Sequence, residues 1–168
     1  MKHAVPPSQY TMTLPADYGP PVGPVPDPPT DDPVAYGTYL AGPIAVCLGC
    51  HTPRGPSGSL FDPTRLFAGG REFRAENWTM TYQSGGVPSL TKVIYSANLT
   101  PDLETGIGRW SDAQIRQAIT QGTRPDGRLL HPLMRRAGGY AEITPSDLTA
   151  LIAYLRSLPP VVNKIPPP

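Results

Sequence analysis

Residues 47–51 read Cys-Leu-Gly-Cys-His, and they hold both cysteines of the 168-residue chain and one of its three histidines. Three chemistries use such a pair: a zinc half-site, a redox dithiol and an attachment point for haem. A structural zinc site takes four ligands, usually as two closely spaced pairs. The other histidines, His3 and His131, lie far from the motif and from each other, so zinc would need the scattered set Cys47, Cys50, His51 and His131. A redox dithiol belongs at a helix start within a strand–helix–strand pattern, and no such alternation is visible. A disulfide between Cys47 and Cys50 would close a tiny loop and stabilise little.

Cys-x-x-Cys-His is also the haem c attachment signature. Its logic is geometric: residues three and four apart on a helical turn share a face. Cys47 and Cys50 can then both reach the vinyl groups of one porphyrin as thioethers, and His51 projects toward the iron. This reading uses every cysteine of the chain in one motif.

Composition sets the surroundings. Apolar residues make up 39% and charged residues 16%, with 17 Gly and 24 Pro, so much loop and a thin core are expected. A large apolar cofactor would help to fill that core. A formal net charge of +1 argues against a nucleic-acid binder working through bulk electrostatics. Arg124, Arg128, Arg135 and Arg136 nevertheless crowd into one short stretch. No apolar run is long enough to span a membrane, and the N-terminal residues carry no apolar signal-peptide segment.

Residues 1–32 are dense in proline, favour extended polyproline II, and read as an arm or tether. A domain over 33–161 follows, and 162–168 form a Pro-rich tail. The first helix is expected from Pro33 to about Cys47, capped by Asp32, with Tyr36, Tyr39 and Leu40 on its apolar side and a kink at Pro43. Residues 52–108 read mainly as loop, with a small hairpin between segments around Trp78–Tyr82 and Val93–Tyr95. Ser111 with Gln114 forms a capping box, Trp110 with Ile115 a hydrophobic staple, and Gly122 a stop. Thr144 caps the last helix, Pro145 takes its first turn, and Leu148, Leu151, Ile152 and Leu155 recur at helical spacing until Pro159.

A second iron ligand is sought among Met1, Met12, Met80 and Met134, because methionine opposite histidine raises the potential of cytochromes c. Met134, in the loop "GRLLHPLMRRAGGY" before the last helix, is the preferred candidate over Met80 and His131.

The stretches "YGTYLAGPIAVCLGCHTPRG", "LFAGGREF", "VIYSANLTPDLETGIGRWSDAQIRQAITQGTRPDGRLLHPLM" and "LTALIAYLRSLPPV" together resemble class I c-type cytochromes. The resemblance is to haem domains of cytochrome subunits that serve bacterial periplasmic dehydrogenases for alcohols, sugars and gluconate. It implies a small all-α class I cytochrome c fold with long loops around one haem. First and last helices would cross beside the haem, with Gly37 and Tyr39 facing Leu151 and Tyr154. Cys47 and Cys50 would bear one covalent haem c, with His51 as proximal and Met134 as distal ligand. Arg54 and Trp110 match positions near the haem propionates. Three departures stand out. Arg135 and Arg136 follow Met134 where the family has proline and an aromatic. Residues 74–92 look inserted. One haem motif stands where many relatives carry three and a membrane anchor.

The resulting expectation is a monohaem electron-transfer protein rather than an enzyme. It would carry single electrons between a periplasmic dehydrogenase or respiratory complex and an acceptor. Its partners would be redox proteins, with no nucleic acid and no transmembrane segment of its own. The alternative is a non-catalytic haem subunit permanently docked, through its Pro-rich arm, in a larger and membrane-associated oxidoreductase. A haem enzyme or gas sensor would need an open distal position. Periplasmic location follows from haem attachment outside the cytoplasm, with the export signal absent from this sequence.

Overall fold

The computed structural model describes residues 23–24, 26–56, 59–74, 93–136 and 140–166. Met1, Met12, His3, Met80, most of the N-terminal arm and the Trp78–Tyr82 segment lie outside them. Helix α1 spans Pro33–Tyr39. It starts where Asp32 Oδ1 accepts hydrogen bonds from Val34 N and Ala35 N at 2.9 and 3.1 Å, with Pro33 in the first turn. The kink at Pro43 takes the form of a π-helical turn over Leu40–Ile44, closed by Ala45 N donating to Leu40 O at 2.7 Å. Proline has no N–H to continue the α ladder, and the widened turn absorbs the missing bond. Val46 then adopts a left-handed conformation (φ 54°) and separates this turn from α2, Cys47–His51.

The described residues are helix-rich but not purely helical, which amends the all-α expectation. Two short antiparallel strands, β1 (Glu72–Phe73) and β2 (Ile94–Tyr95), pair with Phe73 opposite Ile94. Ile94–Tyr95 thus pairs with Glu72–Phe73, and the expected partner, residues 78–82, lies outside the described residues. The arrangement is compatible with a cytochrome c fold.

Helix α3, Asp112–Gln121, has both halves of the expected capping box, Gln114 N to Ser111 Oγ at 3.2 Å and Ser111 N to Gln114 Oε1 at 2.8 Å. It ends at Gly122 in the left-handed region, as the glycine stop requires. A short helix α4 covers Pro132–Arg136, and a 3-10 turn Tyr140–Glu142 leads to α5, Pro145–Ser157. Thr144 Oγ1 caps α5 by accepting from Asp147 N.

The core joins Ala41, Phe67, Ile107, Ile115, Leu148, Leu151, Ile152, Leu155 and Leu158, with Trp110 and Tyr154 packed against it. Helices α1 and α5 meet at Gly37, where a Cβ would collide with Ala150 O and lie 2.6 Å from Tyr154 Cβ. Only glycine lets the backbones approach this closely. The buried face of α1 and its extension is Gly37, Leu40 and Ala41, at i, i+3 and i+4. Tyr39 instead points outward and stacks on Tyr36 at 6.2 Å, so the expected Tyr36–Tyr39–Leu40 face is rotated. Tyr36 keeps one tie to α5, donating to Asp147 Oδ1 at 2.9 Å.

Candidate functional site

The single turn of α2 carries Cys47, Cys50 and His51, with His51 buried at 8% exposure and both thiols free. Burial pushes the Cys47 thiol up to about 11, and burial also raises Cys50. These are protonated thiols at neutral pH, the opposite of the lowered pKa that a redox dithiol needs. Among the described residues no three His, Cys, Asp or Glu side chains come together as a metal site, and those residues include His131. The scattered zinc set is not assembled.

His51 is fixed from two sides. Its Nδ1 lies 2.8 Å from Ala97 O, and a carbonyl can only accept, so Nδ1 carries the proton. Burial lowers the pKa of the ring, with the Ala97 carbonyl opposing, so a neutral imidazole holds an Nε2 lone pair for a metal. Gly69 N donates to His51 O at 2.7 Å. Gly69 has φ +71°, and a Cβ there would lie 2.6 Å from Asn98 N and collide with the Ala97 carbonyl group. The two loops that hold His51, around residues 67–70 and 96–98, are therefore in backbone contact with each other. Leu99 N to Phe67 O at 2.9 Å and Gly70 N to Ser96 O at 2.9 Å complete the seam.

Met134 lies on α4 and is half-buried. A loop is the sequence expectation here, but Pro132 pre-sets a helical first turn. His131 anchors that turn, with Leu133 N to Nδ1 at 3.1 Å and Met134 N to O at 2.9 Å. Two further bonds fix this segment. Leu130 N donates to Gly122 O at 2.7 Å, and Tyr140 donates its hydroxyl to Ala45 O at 2.6 Å, two residues before Cys47. Burial, with Cys47 and Cys50 nearby, pushes the Tyr140 phenol up to about 12. Trp110 is half-buried against the core, with the Arg124 guanidinium 5.9 Å from its ring centre and Arg156 donating to its carbonyl. Arg54 is exposed.

The donor set suits a haem on structural grounds too. Ile44 and Val46, 55% and 56% exposed, flank the motif, and Leu129 at 62% stands on the segment that carries Met134. Such apolar side chains are suited to line a macrocycle. Arg71 Nη1 is buried without a hydrogen-bond partner, and its guanidinium is pulled below its usual pKa by burial and by neighbouring Arg54, against the influence of Cys50. A half-buried cation with one enclosed, unpartnered nitrogen beside another cation suits an anion, and haem carboxylates have that chemistry. Sequence reasoning does not find Arg71, the Ala97 carbonyl or Tyr140. Arginine and tyrosine are common surface residues, and a backbone carbonyl leaves no mark in composition.

A motif turn with a neutral, oriented histidine is what c-type cytochromes present, and comparison with known proteins agrees. Over 122 residues, 72% of this chain, it is 34% identical to the cytochrome c subunit of alcohol dehydrogenase (quinone) from Gluconacetobacter polyoxogenes. This chain resembles the cytochrome c subunits of bacterial dehydrogenases. The gluconate 2-dehydrogenase cytochrome c subunit of Pantoea cypripedii is 32% identical over 123 residues, again 72% of the chain. A nicotinate dehydrogenase component of Pseudomonas putida is 45% identical over 73 residues, 44% of this cytochrome-like chain. The matches cover 21%, 22% and 6% of those three relatives, so the cytochrome-like chain spans a minor part of each. No family model matches it. No helix among the described residues is long and apolar enough to cross a membrane.

Proposed function

We propose that this chain is a c-type cytochrome domain that holds one covalent haem and passes single electrons within a bacterial dehydrogenase system. The observation that carries the reading is the buried, neutral His51, aimed by the Ala97 carbonyl and preceded on the same turn by two thiols. When bound, the haem supplies the one-electron Fe(III)/Fe(II) couple. Cys47 and Cys50 would tether it as thioethers, and His51 would give Nε2 to the iron. Met134 would give its thioether as the second ligand. It is not among the described side chains that pack against the core cluster, so packing does not by itself account for it. Arg71, with Arg54 beside it, would offer cationic donors to the haem carboxylates, and Trp110 is a further candidate for contact with the haem. Attachment of the haem outside the cytoplasm makes the periplasm the place of work.

The relatives are named as dehydrogenase subunits, which favours a chain docked in an oxidoreductase complex over a freely diffusing carrier. The Pro-rich residues 1–32 are the docking element in this reading. Deleting them is expected to release the chain from a co-purified dehydrogenase.

The deciding experiment is a pyridine haemochrome spectrum of the chain expressed with a haem-attachment system. One covalent haem per chain is expected, lost in the Cys47→Ser, Cys50→Ser double variant. A sulfur-to-iron charge-transfer band should vanish in Met134→Ala and persist in Met80→Ala. A wild-type chain without covalent haem would sink the reading, and a band lost in Met80→Ala instead would move the distal ligand to residue 80.

A further inference from the structure

After α5 the chain neither stops nor swings away. Leu158 is extended, and Pro159 and Pro160 bar further helix, so residues 161–166 turn back over the two loops that hold His51. Val161 uses both its backbone groups there, Val161 N donating to Thr100 Oγ1 at 3.1 Å and Val161 O accepting from Asn98 Nδ2 at 2.8 Å. Two residues on, Asn163 N donates to Thr105 Oγ1 at 2.9 Å, and Asn163 Nδ2 donates to Ala68 O at 2.8 Å. The tail is thus paired, through side chains, to the 98–105 loop on one side and to the 67–70 loop on the other.

Its partners are not surface groups. Asn98 is 3% exposed and Thr100 fully buried, and Asn98 Oδ1 also accepts from Thr100 N at 2.9 Å. Asn98 directly follows Ala97, whose carbonyl accepts from His51 Nδ1. Ala68 directly precedes Gly69, whose N–H donates to His51 O. The tail therefore grips the immediate neighbours of both groups that orient the histidine, and without it the buried Asn98 amide loses a partner.

We propose that residues 161–163 form a positioning strap whose hydrogen bonds to Asn98 and Ala68 set the His51 Nδ1–Ala97 O bond and, through it, the reduction potential. The potential part rests on the haem reading above. A hydrogen bond at Nδ1 makes the imidazole a stronger donor and favours ferric iron. Slackening the strap weakens that bond, so the potential rises. Asn163 and Asn98 are positioning residues; neither touches the iron.

The test uses the full haem-bearing chain with Asn163→Ala, a chain ending at Pro160, and Lys164→Ala as an exposed tail control. In Asn163→Ala and the shortened chain, the potential is expected to rise. Exchange of the Gly69 amide should quicken roughly tenfold, the size expected from losing about one net hydrogen bond. Lys164→Ala should leave both readings where they are. A tail that only adds stability would lower the unfolding midpoint in Asn163→Ala and leave the potential unchanged, and that result would overturn the strap. If the shortened chain fails to keep haem, the single-amide variant decides alone. Loss of covalent haem from the wild-type chain would count against the functional reading instead, while Gly69 exchange would still test the strap's grip on the loop.

Discussion

Around His51, two loops and the C-terminal tail are stitched by backbone seams and buried side-chain bonds, with Phe67, Thr52 and Thr100 fully enclosed. The segment around Met134 is built differently. Residues 122–136 are tied back on themselves by Leu130 N donating to Gly122 O, Tyr140 is tied separately to Ala45 O, and Leu129 is exposed. Some of its side-chain ties are exposed, such as the Arg128–Asp126 pair at 2.7 Å, and others, such as Tyr140 to Ala45 O, are part-buried. The difference follows from the work each side would do. A histidine ligand needs its ring plane and tautomer fixed, which takes a rigid backbone acceptor. A methionine on a flexible stem needs only to be brought within reach, and a short turn held through Leu130 and His131 suffices.

The largest expected effect breaks the tight side. Gly69→Ala drives a Cβ into the Ala97 carbonyl group from a left-handed backbone, so a loss of about 2–4 kcal/mol is expected in denaturant unfolding of the haem-bearing chain. A loss well under about 1 kcal/mol would show that the seam is softer than its geometry.

The Tyr140 tie, which joins the two sides, gives a pH-dependent effect. Its phenol is held up to about 12, chiefly by burial, whereas in the unfolded chain it ionises near its ordinary value of about 10. The unfolded state then loses its proton first as pH rises. Stability from this group is intact below about pH 10 and is lost between about 10 and 12. In Tyr140→Phe that part of the alkaline slope should disappear, as read from unfolding midpoints across the range. An unchanged slope would mean that another group carries it.

The smallest effect sharpens the loose side. Arg124 and Arg128 both face Asp126, at 3.7 and 2.7 Å, so part of the arginine cluster is neutralised within its own turn. Asp126→Asn should leave the unfolding midpoint unchanged, because the pairs are exposed. It should steepen the salt dependence of electron transfer to an acidic partner, read by stopped-flow at two ionic strengths. An unchanged salt dependence would place the partner surface elsewhere.

Much of this is legible in the sequence. Asp32, Ser111 and Thr144 mark helix starts through local side-chain bonds, and Gly122 marks a stop, so a few neighbouring residues decide each. The one turn that carries Cys47, Cys50 and His51 is local in the same way. The strand pairing of Glu72–Phe73 with Ile94–Tyr95 is not legible, because two-residue strands carry no periodicity and the partner lies far along the chain. The face of α1 departs from its apolar pattern because packing against α5 selects the smallest residue, Gly37, over the large and partly apolar Tyr36 and Tyr39.

The sequence by itself determined the starts of α1, α3 and α5 and the stop at Gly122, since each rests on contacts within a turn or two. Tertiary structure alone decided that Ala97 would orient His51, that Arg71 would stand beside Arg54 with its Nη1 enclosed and unpartnered, and that the tail would return to grip Asn98 and Ala68. Those outcomes depend on backbone groups brought together from distant segments. Every residue carries the same carbonyl and nearly every residue the same N–H, so their pairing leaves no trace until the chain has folded.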